Sequence, residues 1–260
     1  PIMESFRYGQ QNELPEIIFS NGTPSKDFFP VEVYQRLSEK AIKDCGKELF
    51  GYQNVQGLTS LRDTLADYLE KDDIFVERED IIITSGTQQS LDIVIKAFGC
   101  HPVKTIVISN PTYPNAINFL GDVCNIKTMD IENDGWDMEK FEEMIKKEKI
   151  HMVYVISNFQ NPTGIVWSDE KKKRLIQLAE EYDFYIIEDD CFCEFYYDEN
   201  KVYSIKSMDK SGEERVVYIR TYSKMFMPGI ALAFMIPPRK FMEKFVLIKY
   251  GLDPNTPGLN

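Results

Sequence analysis

Short apolar, β-branched runs alternate along this chain with segments whose apolar residues recur every three to four positions. Residues 80–84 (DIIIT), 105–109 (TIVIS), 152–157 (MVYVIS), 184–189 (FYIIED) and 215–220 (RVVYIR) have the length and composition of buried strands. After the first of them, QQSLDIVIKAFG places Leu91, Val94, Ile95 and Phe98 on one helical face. After the third, SDEKKKRLIQLAEEY opens with Ser168 as an N-cap and carries acids in its first turn. Strands that alternate with helices need crossover connections. The pattern therefore predicts an α/β fold, a largely parallel sheet with helices on both faces. It also places any chemistry at the carboxyl ends of the strands.

The first 45 residues break this rhythm. A turn-rich stretch, NGTPSKDFFP, precedes a helix that starts near Val31, and 1–45 reads as an arm plus the start of a smaller domain. Residues 46–248 then form the large domain. Residues 249–260 run into a loop that does not look like a natural domain end, and are expected to be a truncated connection. No internal repeat or low-complexity tract interrupts the chain.

Composition narrows the function. With 260 residues, 43% of them hydrophobic, the chain can bury a sizeable core. A net charge of −12 argues against direct nucleic-acid or anionic-lipid binding by this chain. No apolar stretch is long enough to span a bilayer, and the N-terminus lacks a signal-peptide pattern. The five cysteines, Cys45, Cys100, Cys124, Cys191 and Cys193, contain no CxxC pair, which points to reduced thiols in a cytoplasmic protein. The only histidines, His101 and His151, lack ligand-like neighbours. Neither a metal site nor a His-based triad is expected.

Each predicted strand ends in a polar motif. TSGTQQS has small residues that leave backbone N–H groups open to an anion, although the same stretch also serves as an ordinary strand–helix turn. In NPTYP, Tyr113 is either a stacking aromatic or a loop tyrosine. In NFQNPTG, Asn161 heads a turn and can aim its amide into a cleft. IIEDDCF closes an apolar strand with three carboxylates. Such a run is usually a solvated edge, but here at least one can point at a ligand, with Glu188 and Asp190 read as structural or solvated. Lys224 in RTYSK lies between two apolar runs, so it either snorkels to solvent or is used in chemistry. Met225, Phe226 and Met227 read as core packing, and Cys191 and Cys193 as small buried residues.

The order SGTQ, NPTYP, NPTG, EDD, TYSK resembles the fold-type I pyridoxal-phosphate enzymes of the class I/II aminotransferase group. The resemblance runs from FGYQNVQGLTSLRDTLADYL to ALAFMIPP. Each motif is short, but five in the right order, each at a strand end, are specific. Within the group, EDDCFCEFYYDENKVYSIKSMD and RTYSKMFMPGIALAFMIPP most resemble the aminotransferase-like effector domain of MocR-type (GntR-family) transcriptional regulators. The aminoadipate and kynurenine type transaminases come next.

The resemblance implies a three-layer aminotransferase-like large domain, with the C-terminal small domain missing or incomplete, and pyridoxal 5'-phosphate as cofactor. Lys224 would form a Schiff base with it, be consumed as a buried amine, and then move a proton during transamination of an amino acid. Asp189 would pair with the protonated pyridine nitrogen, Asn161 with the ring 3-oxygen, and Tyr113 would stack on the ring. Ser85, Gly86 and Thr87 would hold the phosphate, helped by Thr221 and Ser223. Tyr52 would reach the phosphate of a neighbouring subunit, which implies a homodimer with shared sites. The alternative is the ligand-sensing half of a regulator with little catalytic activity, its winged-helix domain lying upstream.

Three departures from the family pattern stand out. Ala231 occupies the place of an arginine that neutralises the phosphate. Cys191 and Phe192 stand where a tyrosine bonds the 3-oxygen. The arginine that binds the substrate carboxylate belongs to a C-terminal region that this chain stops short of. A nearby cation such as Arg220 can replace the lost arginine only if strand alternation turns it to face the site.

Overall fold

The computed structural model describes residues 22–99, 104–197, 200–210 and 212–259. The arm before Gly22, together with Cys100 and His101, lies outside the described residues. The strands are β1 (Ile82–Thr84), β2 (Thr105–Asn110), β3 (Asn125–Glu132), β4 (Gly135–Trp136), β5 (Met152–Val155), β6 (Tyr185–Asp189), β7 (Val216–Thr221) and β8 (Ala233–Ile236). They form one sheet in the order β1-β8-β7-β6-β5-β2-β3-β4. Pairings β7–β6, β6–β5, β5–β2 and β2–β3 are parallel, while β8 runs against both β1 and β7, and β4 against β3. The five predicted strands are all present, with ends shifted by a few residues. Strand β3 was not predicted, because along it only Met129 is buried and the apolar periodicity is faint.

The helices are α1 (Val31–Cys45), α2 (Thr59–Glu70), α3 (Thr87–Ala97), α4 (Pro114–Gly121), α5 (Met138–Lys147), α6 (Asp169–Glu181), α7 (Ile205–Met208) and α8 (Met242–Leu252). Side chains along a strand alternate between faces, and this splits the core in two. Tyr154, Ile187, Val217 and Ile219 pack with Leu91 and Val94 of α3, Leu120 of α4 and Phe245 of α8. Val153, Val155, Ile186 and Val216 pack with Phe141 of α5, Leu175 and Leu178 of α6 and Ile205 of α7. Leu65 and Leu69 of α2 cover Ile83, Tyr218 and Phe234 on that second side. The result is three layers, helix–sheet–helix. As predicted, the Ser168 hydroxyl caps α6, accepting from the Lys171 amide. Helix α1 forms where expected but buries none of its residues.

Candidate active site

The sheet order brings distant motifs to one edge. Thr84 of β1 and Thr221 of β7 both register with Ala233 of β8, so the turns after β1 and β7 flank a single strand. Ser85, Gly86 and Thr87 lead from β1 into α3. Gly86 has φ +115°, a conformation that L side chains rarely adopt, and open space lies where a Cβ would stand. The Ser85 amide is taken by Gln89 Oε1 at 2.8 Å. The first-turn amides, Thr87's included, have no carbonyl partner within the helix. Across β8, Thr221 Oγ1 accepts from the Ser223 amide at 3.2 Å and bonds the Ser223 hydroxyl at 3.1 Å, which fixes the turn that carries Lys224.

Lys224 is half-buried, and this corrects the expectation of a lysine enclosed between buried segments. Strand β7 ends at Thr221, so the lysine sits on a turn at the mouth of the sheet rather than inside it. Met225, Phe226 and Met227, expected in the core, are likewise half-buried on the same turn. Gly22 was not singled out in the sequence. It has φ +52°, and a Cβ there would stand 3.8 Å from Lys224 Nζ, so the segment after the arm passes close to the amine.

Asp189 ends β6, on the side of the sheet that faces α3 and α4, and is 2% exposed. Its Oδ2 accepts from the Tyr154 hydroxyl at 2.9 Å. Its Oδ1 is buried with no partner. Burial pushes its pKa up to about 6; the Tyr154 hydrogen bond opposes this, the neighbouring Asp190 adds to it, and the weakly donating Cys191 thiol beside it opposes it slightly without closing Oδ1. Tyr113, at the start of α4, is half-buried. Burial raises its hydroxyl; the hydrogen bond from Asn115 opposes this and the Asp189 charge adds to it. The Tyr113 loop is tied to the Asn161 loop by Gln160, which donates to Pro111 O at 2.8 Å and accepts from Thr163. Asn161 is half-buried, and its amide has no hydrogen-bond partner among the described residues.

The other two carboxylates of the EDD run are buried, not solvated. Glu188 accepts from the Ser157 hydroxyl at 2.6 Å and from the Ile205 and Lys206 amides at 2.7 and 2.8 Å, so it anchors α7. Asp190 accepts from Asn158 at 3.0 Å and Tyr218 at 2.9 Å. Arg220 is fully buried and pairs with Asp72 at 2.8 Å and with Glu194. Strand alternation turns it to the face opposite Thr221, so it does not replace the missing phosphate arginine. Ala231 closes a 3₁₀ turn in the left-handed region, φ +52°. Phe192 packs its ring against Phe195, 5.8 Å between centroids, and the buried Cys191 lies near Asp189 and Lys224. Tyr52 is 91% exposed. His151 accepts the Thr105 amide on Nδ1 at 3.1 Å.

A doubly wound sheet with a lysine turn, a strand-end aspartate and a helix N-terminus at one edge defines a protein of the aminotransferase type. The family "Aminotransferase class I and II" matches residues 17–245, and the chain belongs to it. Aromatic-amino-acid aminotransferase 1 of Thermococcus litoralis is 32% identical over 244 residues, covering 91% of this chain and 58% of that protein. The HTH-type transcriptional regulator YcxD of Bacillus subtilis, itself uncharacterized, is 30% identical over 236 residues, covering 90% of this chain and 52% of the regulator. Among solved structures, Pyrococcus horikoshii kynurenine aminotransferase, in complex with PMP, superposes with a TM-score of 0.91 at 29% identity. The match spans 99% of this chain and 64% of that one. The chain thus spans less than two thirds of the length of the curated relatives it matches.

Proposed function

We propose that the protein binds pyridoxal 5'-phosphate at Lys224 and transaminates an amino acid to its 2-oxo acid, as a homodimer with shared sites. The observation that carries this reading is the buried Asp189 Oδ1, which lacks a partner at the carboxyl end of β6. A buried carboxylate oxygen without a donor is costly unless a ligand supplies one, and a protonated ring nitrogen is such a donor. The open first turn after Gly86 and the unbonded amide of Asn161 suit the phosphate and the ring oxygen in the same way.

When bound, the cofactor supplies an electron sink for the substrate's Cα. The chain's own groups do the rest. Lys224 would hold the cofactor and carry the proton at Cα. Asp189 would keep the ring nitrogen protonated, Tyr113 would cover the ring, and Thr87, Thr221 and Ser223 would orient the phosphate. Tyr52, exposed in one chain, completes the phosphate site of a second copy. Among the described residues, Cys45, Cys124, Cys191 and Cys193 form no disulfide, which suits a reducing compartment, the cytoplasm. Among the described residues, no helix is long and apolar enough to cross a membrane.

Borohydride reduction of the cofactor-loaded full-length protein, followed by peptide mass mapping, should place the label on Lys224. A label elsewhere, or none on a folded protein, refutes the reading. A second reading rests on the regulator likeness: the same cofactor site serves as a sensor. A panel of amino acids with 2-oxoglutarate separates the two. Turnover supports the enzyme, whereas cofactor capture without turnover supports the sensor.

A further inference from the structure

Asp189 and Asp190 are adjacent at the end of β6, and their carboxylates face opposite sides of the sheet. Each accepts a tyrosine hydroxyl at 2.9 Å, Asp189 from Tyr154 on β5 and Asp190 from Tyr218 on β7. There the likeness ends. The second oxygen of Asp190 accepts the Asn158 amide at 3.0 Å, so that carboxylate is satisfied. The second oxygen of Asp189 is buried and unpartnered. The fold contains its own comparison: one carboxylate closed by two donors, the other held by one hydroxyl, with only the weak Cys191 thiol beside it and Oδ1 left open.

We propose that Tyr154 is the positioning residue of the site: its hydroxyl fixes Asp189 Oδ2, so that Oδ1 alone is presented to the ring nitrogen of the cofactor. The proposal rests on the cofactor reading above. The register explains why a tyrosine is needed. Tyr154 lies opposite Ile187, so Asp189 is its diagonal neighbour two residues on, on the same face. That diagonal gap needs a long side chain, and the 2.9 Å bond shows that the tyrosine hydroxyl spans it. Tyr154 is fully buried in the strand and has no room to swing away. The other groups beside Asp189 are poorer anchors. The Tyr113 hydroxyl accepts from Asn115 at 2.8 Å and makes no hydrogen bond to Asp189, the adjacent Asp190 charge only repels, and the Cys191 thiol is a weak donor.

The test compares Tyr154→Phe with Tyr218→Phe in the full-length protein, loaded with cofactor carrying ¹⁵N at the ring nitrogen. Both changes keep the ring and remove one hydroxyl. In Tyr154→Phe, the pH at which the ring nitrogen loses its proton should fall by about one to two units, and cofactor affinity should drop about tenfold. Both variants should lose stability through the missing hydroxyl, but in Tyr218→Phe the nitrogen titrates as in the unsubstituted protein. Borohydride should label Lys224 in all three. If Tyr154→Phe titrates unchanged while Lys224 is still labelled, or if Tyr218→Phe shifts as far, the proposal is overturned and the cofactor reading survives. If the unsubstituted protein captures no cofactor at Lys224, the reading fails and the proposal falls with it.

Discussion

A carboxylate reserved for a ligand burdens the ligand-free fold, and Asp189→Asn should expose that burden. Burial raises the Asp189 pKa from the ordinary 3.8 to about 6. Between those values the folded state binds more protons than the unfolded chain. Its contribution to stability is therefore lost as the pH rises from about 4 through about 6. The full loss is about 3 kcal/mol, from a shift of roughly two units at about 1.4 kcal/mol each. Of this, about 1.4 kcal/mol is lost between pH 5 and pH 8. Asp189→Asn carries no charge and removes that slope. Its new amide nitrogen meets the same empty surroundings as Oδ1, at a cost of about 1–3 kcal/mol that does not vary with pH. The informative quantity is therefore the change between the two pH values. Urea unfolding of the cofactor-free full-length protein at pH 5 and pH 8 should show the variant gaining about 1.4 kcal/mol on the parent. Cofactor should then stabilise the parent more than the variant, through its tighter binding to the folded state. A difference between the two proteins that does not change with pH would refute the reasoning, because Asp189 would then be an ordinary satisfied carboxylate.

Ala231→Arg should tighten cofactor binding by about one to two orders of magnitude, since a charge-assisted bond to the phosphate is worth roughly 1.5–3 kcal/mol. Arg220 is committed to Asp72 and Glu194 and leaves that role open; a cofactor titration showing unchanged affinity in a folded variant would count against this. Tyr52→Ala, at a side chain 91% exposed in one chain, should leave unfolding stability within about 0.5 kcal/mol. It should weaken cofactor binding about tenfold in a protein that sediments as a dimer. A monomer that still binds cofactor tightly would contradict the shared site.

The strands were legible where burial on both faces made apolar runs continuous, as at Ile106–Ile108 and Ile186–Ile187. Strand β3 was not, because it lies near the sheet edge and buries only Met129. The strand-end motifs were legible as an ordered set, since local turn chemistry is written in neighbouring residues. Tyr154 gave no signal, because a tyrosine in an apolar strand reads as core until its hydroxyl's partner is known. Gly22 was hidden for the same reason, its nearness to Lys224 being a contact across most of the chain.

The sequence by itself determined the alternation of strand and helix, the acidic balance, the Ser168 cap and the residue types available at each strand end. These follow from periodicity and local hydrogen bonding, which act over a few residues. Only the tertiary structure decided which carboxylate is open. Glu188, Asp189 and Asp190 are consecutive and chemically alike. The donors that satisfy or spare them come from Ser157 and the α7 amides, from Tyr154, and from Asn158 and Tyr218. Strand order and register bring those donors together, and these are set by packing both faces of the sheet at once. The same packing turned Arg220 away from the site and left Lys224 at its mouth.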